Sequence, residues 1–419
     1  MKIVKAALLI STALIVSTSL LVGCGRGGKD NSSSNKTSNS TGISLSGTAA
    51  TGAPIASATI TLKDKNGSLK TALTGTDGKY YFDITGMAAP FLLKVPLGQS
   101  SLYSVAASSG TVNVHPFTDL IIRNWYAGQG SDVDAAFGSA GNLPSPPTAD
   151  DIATRETAVR NILSTWLQQE GVDASSFNLI TSSFDANETG FDEVLEYTEV
   201  EIDTAGRVTV SCTDPATGIG NTMVSANIGN LTAADTTPPS DPVSLRAIGA
   251  DRNKILLLWD ASTDNVGIAG YNVYRGNTRI GKAAYSVYFD SAGLAPGTAY
   301  CYQIEAFDGA GNTSASRSGQ VCGSTLAVSD TTPPSAPADL AVSQVSSTQI
   351  SLAWTASTDD VFVLSYRVLR DGGELAKVPS TSFVDGDLAA HTRYCYTVKA
   401  VDAAGNISAD SSQICARTP

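Results

Sequence analysis

The chain has 419 residues, which corresponds to about three domains at roughly 150 residues per domain. Only 16% of the residues are charged, and 39 acidic residues against 27 basic ones give a net charge of −12. A nucleic-acid-binding protein would show the opposite charge balance, so this class is excluded. The two histidines, His115 and His391, lie far apart in the sequence, which excludes histidine-rich metal sites and haem attachment through C-x-x-C-H.

The N-terminus has the pattern of an export signal. Lys2 and Lys5 precede an apolar run over residues 7–22, which is shorter than the roughly 20 residues of a membrane span. The run ends in L-V-G-C, and this segment resembles the lipobox of bacterial lipoproteins. The resemblance implies a signal peptide at residues 1–23 and acylation of Cys24 after cleavage. An ordinary signal peptide followed by an incidental cysteine is the alternative.

Acyl chains on Cys24 predict a lipid anchor, since each buried methylene adds about 0.8 kcal/mol of membrane affinity. Residue 25 is glycine and not aspartate, which favours the outer membrane in a Gram-negative cell. We therefore expect an outer-membrane lipoprotein of the cell envelope that faces outward. Residues 24–43 are rich in glycine, serine and asparagine and contain little to bury, which predicts a flexible tether.

Residues 44–116 are predicted to form a β-sandwich. Period-2 alternation places Ala58, Ile60 and Leu62 on one face, and Asn66-Gly67 marks a hairpin turn. The segments G-A-P-I-A-S-A-T-I and T-D-G-K-Y-Y-F resemble the carboxypeptidase regulatory-like (transthyretin-like) domain, with a turn one residue shorter than usual. The resemblance implies a structural or carbohydrate-binding accessory domain that supplies no catalytic residue.

Residues 117–232 change to an α+β pattern. Helices are predicted after Thr118-Asp119, after Thr148 and from Phe191 to Tyr197, on the basis of capping residues and helical spacing of apolar side chains. Strand-like segments follow at 198–203, 207–213 and 222–228. No motif in this middle region indicates a particular chemistry.

Residues 235–419 contain an internal repeat. The segments D-T-T-P-P-S and W-x-A-S-T-D both recur with an offset of 95 residues. A unit of this size with alternating strands is typical of an immunoglobulin-like sandwich. We place the two copies at 235–327 and 330–419, with Trp259 and Trp354 in their cores.

The two copies resemble fibronectin type III domains. The segment L-A-P-G-T-A-Y matches the tyrosine-corner strand of this family, which implies a structural role for Tyr300 and, in the second copy, for Tyr394. The second copy departs from the pattern, because Ala390 and His391 replace the proline and glycine. The expected fold is therefore mainly β and multidomain: a transthyretin-like sandwich, a small α+β middle region and two tandem immunoglobulin-like sandwiches.

Four cysteines occupy matching places in the two copies. Cys301 and Cys322 are 21 residues apart, and Cys395 and Cys415 are 20 apart. The family resemblance places each pair on neighbouring antiparallel strands, which predicts surface disulfides worth roughly 3 kcal/mol each in an oxidising compartment. Two pairs of free thiols are the alternative. Cys212 is left over, and we expect it to be buried in a strand because no basic residue lies beside it.

One segment partly fits a calcium-binding loop. Asp185, Asn187, Thr189 and Glu196 fall at loop positions 1, 3, 5 and 12, with glycine at position 6. Threonine is a weak ligand, and Asp192 occupies a position that is usually apolar. The alternative is a turn followed by a helix whose first residues are acidic.

Aspartates of the two repeats are a second candidate for calcium. The sandwich fold brings Asp235, Asp264 and Asp308 toward one pole, and the second copy offers a matching set: Asp330, Asp359, Asp360 and Asp402. Aspartates also accept hydrogen bonds from their own backbone in turns, which explains them without a metal. The sequence leaves these alternatives open, and no cofactor is predicted.

The motifs G-x-S-x-G, H-E-x-x-H and G-x-x-x-x-G-K-[ST] do not occur in the sequence, and the acidic residues are scattered over turns and helix ends. We therefore expect no enzyme. The expected function is that of a lipid-anchored envelope or surface protein with a non-catalytic binding, spacer or adhesion role. Its partners would be the membrane and an extracellular protein or polysaccharide, and not a nucleic acid. The alternative is a carbohydrate-binding accessory or a lipoprotein associated with polysaccharide degradation.

Overall fold

The computed structural model describes residues 43–203, 206–227 and 235–419. The expected signal peptide, Cys24 and almost all of the tether lie outside the described residues. No helix in these ranges is long and apolar enough to cross a membrane. The described chain is mainly β, as the sequence predicts, with a helical layer inserted between sandwiches.

Seven strands form the N-terminal sandwich: Ser44–Thr48 (β1), Thr59–Lys63 (β2), Leu69–Leu73 (β3), Lys79–Asp83 (β4), Phe91–Leu97 (β5), Ser100–Ala106 (β6) and Gly110–Thr111 (β7). They make two sheets with the orders β4-β1-β7 and β3-β2-β5-β6. Ile60 and Leu62 are fully buried between the sheets, as the alternation predicts. The β2–β3 connection contains Gly67 at φ 88°, a left-handed conformation that glycine adopts without steric cost.

Five helices follow: Pro116–Gly128 (α1), Val133–Gly138 (α2), Ala149–Ile162 (α3), Ser164–Gln169 (α4) and Phe191–Glu196 (α5). Thr148 caps α3 through a reciprocal pair of hydrogen bonds with Asp151. His115 caps α1, with its ring nitrogen accepting from the N–H of Thr118. The sequence pattern predicts neither α2 nor the break at Leu163 that separates α3 from α4.

The helices do not form a separate unit. Phe117 and Leu120 of α1 and Trp166 of α4 belong to the same buried core as Leu45 and Ile60 of the sandwich. The predicted boundary between residues 116 and 117 therefore falls inside a continuous apolar core. A second core holds the outer face of the sandwich against α1 and α2.

Three strands complete the middle region: Thr198–Ile202 (β8), Arg207–Thr213 (β9) and Gly220–Asn227 (β10). They form an antiparallel sheet in the order β10-β9-β8. Cys212 lies on β9 with no solvent exposure.

The two repeats have the same strand order. The first consists of Val243–Asp251 (β11), Lys254–Asp260 (β12), Ile268–Arg275 (β13), Thr278–Ala283 (β14), Val287–Asp290 (β15), Ala299–Asp308 (β16) and Val321–Ser324 (β17). The second consists of Ala338–Val345 (β18), Ile350–Thr355 (β19), Val363–Arg370 (β20), Gly373–Val378 (β21), Ser382–Asp385 (β22), Arg393–Asp402 (β23) and Ile414–Arg417 (β24). Each packs a three-stranded sheet against a four-stranded one, β11-β12-β15 on β14-β13-β16-β17 and β18-β19-β22 on β21-β20-β23-β24.

A tryptophan lies at the centre of each repeat. Trp259 packs edge-on against Tyr271 with 5.2 Å between ring centroids, and Trp354 packs against Tyr366 in the same way at 5.4 Å. Both tryptophans are buried, so neither is available as an exposed sugar-stacking platform. Aromatic pairs of this geometry add about 0.5–1.5 kcal/mol beyond the area that they bury.

Candidate functional site

The tyrosine corners are present in both repeats. The Tyr300 hydroxyl accepts a hydrogen bond from the backbone N–H of Ala295 at 2.9 Å, and Tyr394 does the same with Ala389 at 3.0 Å. Gly297 and His391 occupy the same place in the two corners, at φ 59° and 56°. Both corners therefore use a left-handed residue, and the second one uses a histidine for it. Each tyrosine therefore holds the loop that precedes its strand against the sandwich.

Each repeat carries one disulfide between neighbouring strands. Cys301 on β16 is bonded to Cys322 on β17, and Cys395 on β23 is bonded to Cys415 on β24. Each pair stands directly opposite in its antiparallel register. The bonds lie on the partly exposed outer face, because the core positions of these strands are taken by the neighbouring tyrosines, such as the fully buried Tyr302.

The loop that resembles a calcium site is used differently. Asp185 forms an ion pair with Lys79 at 2.8 Å, and the Thr189 hydroxyl donates to the Asn187 side chain at 2.7 Å. Glu196 lies at the far end of α5, against the backbone at Gly52. Among the described acids, neither Asp185 nor Glu196 belongs to a convergent group that could hold a metal. The structure therefore does not assemble these residues around one point.

The repeat aspartates do converge. One carboxylate oxygen from each of Asp235, Asp264 and Asp308 lies within 4.8 Å of the others, and Asp330, Asp359 and Asp402 form the same arrangement in the second repeat. Burial raises the pKa of Asp264, and the charges of Asp235 and Asp308 raise it further, against lowering by two backbone N–H groups. We call these two sets the aspartate triads.

A groove lies between the helical layer and the first repeat. It has a volume of about 600 Å³ and adjoins a second hollow of about 560 Å³, with which it shares Thr165, Gln168 and Lys282. We call the two together the interdomain groove. Its polar lining includes Arg160, Asn161, Ser164, Gln168, Asp173, Arg279 and Lys282.

Close packing positions the two walls of the groove. Trp166 is fully buried and packs edge-on against Tyr285 of the first repeat, with 6.1 Å between ring centroids. The Gln169 side chain accepts a hydrogen bond from the N–H of Ala284 at 2.9 Å. A Cβ atom at Gly270 would stand 2.8 Å from the Thr165 hydroxyl, so only glycine allows this approach. The walls are therefore fixed relative to each other.

Two basic side chains of the groove are held by neighbouring groups. The Arg160 guanidinium is held by the buried Glu156, with Nε 3.1 Å from Oε1, and the Lys282 ammonium lies 4.6 Å from the centroid of the Phe307 ring. Two further charged residues, Asp173 and Arg279, also line the groove. The amides and hydroxyls of Asn161, Gln168 and Ser164 both donate and accept hydrogen bonds. Such a lining suits a ligand that is rich in hydroxyl groups.

Sequence reasoning does not find this groove. One wall comes from α3, α4 and the segment 171–175, and the other comes from β14, more than 100 residues further along the chain. The one available signal is the contrast between the copies: Gly270 and Gly309 in the first repeat correspond to Ser365 and Ala403 in the second. Glycine at these two places marks the side on which another backbone approaches.

Residues 335–414 match the fibronectin type III domain family. Among curated proteins, chitinase A1 of Niallia circulans is 43% identical over 192 residues, which are 45% of this chain and 27% of that enzyme. Exoglucanase B of Cellulomonas fimi is 38% identical over 190 residues, which are 45% of this chain and 17% of the enzyme. The match thus spans about a quarter or less of the length of these relatives.

Solved structures give likenesses of fold. The FN1–FN3 domains of chicken CNTN1 cover 51% of this chain and 77% of their own, at a TM-score of 0.21 and 18% identity. The two-domain fibronectin type III segment of chicken tenascin covers 43% of this chain and all of its own, at a TM-score of 0.18 and 17% identity. At these values the likeness carries no argument about function.

The comparisons correct two expectations. The main expectation of a surface protein with a spacer or adhesion role is wrong, because the curated relatives are chitinases and exoglucanases. The expectation that the chain is no enzyme is contradicted by the same finding, since these relatives are named chitinase and exoglucanase. The alternative, a role in polysaccharide degradation, fits better. The chain is a multidomain β protein that carries a fibronectin type III domain at residues 335–414.

Proposed function

We propose that this chain functions in polysaccharide degradation, as a carbohydrate-binding accessory to glycoside hydrolysis. The observation that carries the proposal is the identity of 43% with a chitinase and 38% with an exoglucanase, each over about 190 residues. The matched length is close to that of the tandem repeat at residues 235–419. Two enzymes with different names, a chitinase and an exoglucanase, each match a segment of this length, which favours a role common to both.

The interdomain groove is the proposed contact with the polysaccharide. Sugars present many hydroxyl groups, and the amides of Asn161 and Gln168 can donate and accept at the same site. Lys282 adds three donors, and its ammonium group lies 4.6 Å from the centroid of the Phe307 ring. The groove is open and elongated across two adjoining hollows, which suits a chain polymer better than a small enclosed ligand.

A depletion assay tests the proposal. The purified chain is mixed with insoluble chitin or cellulose, and the fraction left in solution is measured against polymer concentration. We expect saturable binding that the double change Asn161→Ala with Gln168→Ala weakens by about tenfold, the effect of losing roughly 1.4 kcal/mol. The matched control is Lys65→Ala with Gln344→Ala, two exposed positions outside the groove.

Equal binding by the groove variant and the control would contradict the groove as the binding place. If the unchanged chain binds neither chitin nor cellulose, the proposed function itself is contradicted. Release of soluble sugars from the polymer is measured in the same samples, because the curated relatives are hydrolases.

We further propose that Cys24 is acylated and holds the chain at the outer membrane, facing outward. We also propose that residues 44–116 are a carboxypeptidase regulatory-like accessory domain. Support for the anchor is the L-V-G-C segment, and support for the domain is its sequence resemblance together with its two-sheet sandwich. Cys24→Ala should move the protein from the membrane fraction to the soluble fraction on cell fractionation. Cys212→Ala, which removes a different thiol, should leave the distribution unchanged.

A further inference from the structure

The two aspartate triads are not used by the proposed carbohydrate contact, and they repeat one arrangement. In each, the first acid comes from the linker that enters the repeat, the second from the loop after β12 or β19, and the third from the end of β16 or β23. The third acids, Asp308 and Asp402, are 3% and 1% exposed. Convergence of three acids thus occurs twice in the chain, at equivalent places.

Turn geometry accounts for one oxygen of the second acid and leaves the other without a partner. Asp264 Oδ2 accepts from the N–H groups of Val266 and Gly267, at 2.8 Å each. Asp264 Oδ1 is buried and accepts no hydrogen bond. The nearby groups that act on this carboxyl include the charges of Asp235 and Asp308.

The second repeat shows the same division. Asp359 Oδ2 accepts from the N–H groups of Val361 and Phe362, at 2.9 and 3.0 Å, while Asp359 Oδ1 is buried and unpartnered. The linker acid of this triad also has one partnered and one unpartnered oxygen. Asp330 Oδ1 accepts from the N–H of Thr332, while Asp330 Oδ2 is buried and accepts no hydrogen bond. Three buried carboxylate oxygens across the two triads therefore lack a donor.

The six aspartates form no salt bridge with a residue that the structure describes. Among the ion pairs of residues 43–203, 206–227 and 235–419, none involves any of the six aspartates. Burying a carboxylate without a counter-charge is strongly unfavourable, so such groups in proteins are paired or bind a metal. The other acids also accept hydrogen bonds in turns: Asp308 accepts from the N–H groups of Ala310 and Asn312. These bonds supply no donor to the three unpartnered oxygens.

We propose that each aspartate triad binds one calcium ion. The available ligands are all oxygen, which excludes the softer metals that select cysteine or histidine. Calcium accepts six to eight oxygens in flexible geometry, so three carboxylates and solvent satisfy it, whereas magnesium demands a near-ideal octahedron. The proposal is independent of the carbohydrate contact, since the triads share no residue with the interdomain groove.

Both sites lie at junctions between parts of the chain. Gly267, in the turn of the first triad, forms a β-bridge with Val224 of the middle sheet. Phe362, in the turn of the second triad, lies beneath the Arg246 guanidinium of the first repeat at 5.7 Å. Because one ligand of each triad belongs to an entering linker, calcium would fix each repeat to what precedes it.

Calorimetric titration of the full, chelator-treated chain with calcium chloride tests the proposal. The unchanged chain should bind two calcium ions, Asp264→Asn and Asp359→Asn should each bind one, and the double variant none. Asp260→Asn removes an exposed charge from the same repeat and should still bind two. A titration with magnesium chloride should show at least tenfold weaker binding.

Thermal melts separate metal binding from a structural role. In chelator, Asp264→Asn should melt at the same temperature as the unchanged chain or higher, because the amide keeps the turn acceptor and removes a charge. In calcium, the unchanged chain should melt several degrees higher than in chelator, and the double variant should not respond. Absence of calcium binding at millimolar concentration, or unchanged stoichiometry in Asp264→Asn, would overturn the proposal.

Discussion

The two repeats share a strand order and differ in what surrounds them. The first repeat is packed against the helical layer through Trp166 and Tyr285, and Gly270 and Gly309 admit the helices at close range. The second repeat has Ser365 and Ala403 at the two glycine positions. It contacts the middle region through Lys377, which donates to the carbonyl of Pro215 at 2.8 Å. The same strand order therefore admits helices at close range in the first copy, where glycines stand, and has larger residues at the equivalent positions of the second.

The largest expected effect comes from removing the indole at the packed interface. Trp166→Ala should lower the free energy of unfolding by about 3–5 kcal/mol, because a large, fully buried side chain leaves a cavity. Phe362→Ala, at the contact between the repeats, should cost only about 1–2 kcal/mol, since that ring is half-buried. Urea unfolding of both variants measures the difference, and equal costs would mean that the two repeats are held equally firmly.

The N-terminal region should be sensitive to acid through His115. This ring is fully buried, and burial lowers its pKa to about 4, against a smaller raising effect of the Leu179 carbonyl. Between about pH 6.5 and 4 the unfolded chain binds a proton that the folded chain does not, so acid removes up to about 3 kcal/mol of stability. Burial raises the pKa of Asp119 to about 6, which acts in the opposite direction over the same range.

A difference measurement isolates the histidine. The destabilisation caused by His115→Gln should be largest near neutral pH and should shrink by up to about 3 kcal/mol toward pH 4. Phe191→Leu, which changes a ring packed 5.0 Å from the histidine, should cost the same at every pH. A constant deficit for His115→Gln would mean that this imidazole does not titrate differently in the two states.

The smallest effect compares the two tyrosine corners directly. His391→Gly should stabilise the second repeat by about 0.5–1 kcal/mol, because it removes a side chain from a left-handed backbone conformation. Gly297→His should destabilise the first repeat by a similar amount for the same reason. Thermal unfolding of the two reciprocal variants checks the sign, and shifts in the same direction would show that contacts, and not φ, decide the preference.

The sequence predicts the repeats well and their surroundings poorly. Comparing the chain with itself reveals the 95-residue unit, and alternation then assigns residues such as Leu257 and Trp259 to the core. The packing of Trp166 on Tyr285 joins residues 119 positions apart and leaves no local pattern. The short helix α4 begins after a break at Leu163 that no proline or glycine marks, so the preceding helix is predicted to run through it.

The sequence predicts part of one candidate site and nothing of the other. The aspartate triads lie on turns whose family resemblance places them at one pole, so their convergence can be foreseen, but the unpartnered oxygens cannot. The interdomain groove depends on how the α3–α4 segment meets a strand more than 100 residues further along the chain, which single-sequence periodicity does not encode. The sequence shows this close packing at one position: Gly309, which lies against Ile162, is replaced by Ala403 in the second copy.

The cross-strand disulfides have a consequence for what proteolysis does to the chain. A cut anywhere in the loop between Cys301 and Cys322, or between Cys395 and Cys415, leaves both fragments covalently attached. The nicked repeat keeps its last strand in register, so cleavage of an exposed hairpin does not discard the rest of the chain. Damage of this kind would appear only after reduction, as a pair of smaller bands from an otherwise intact molecule.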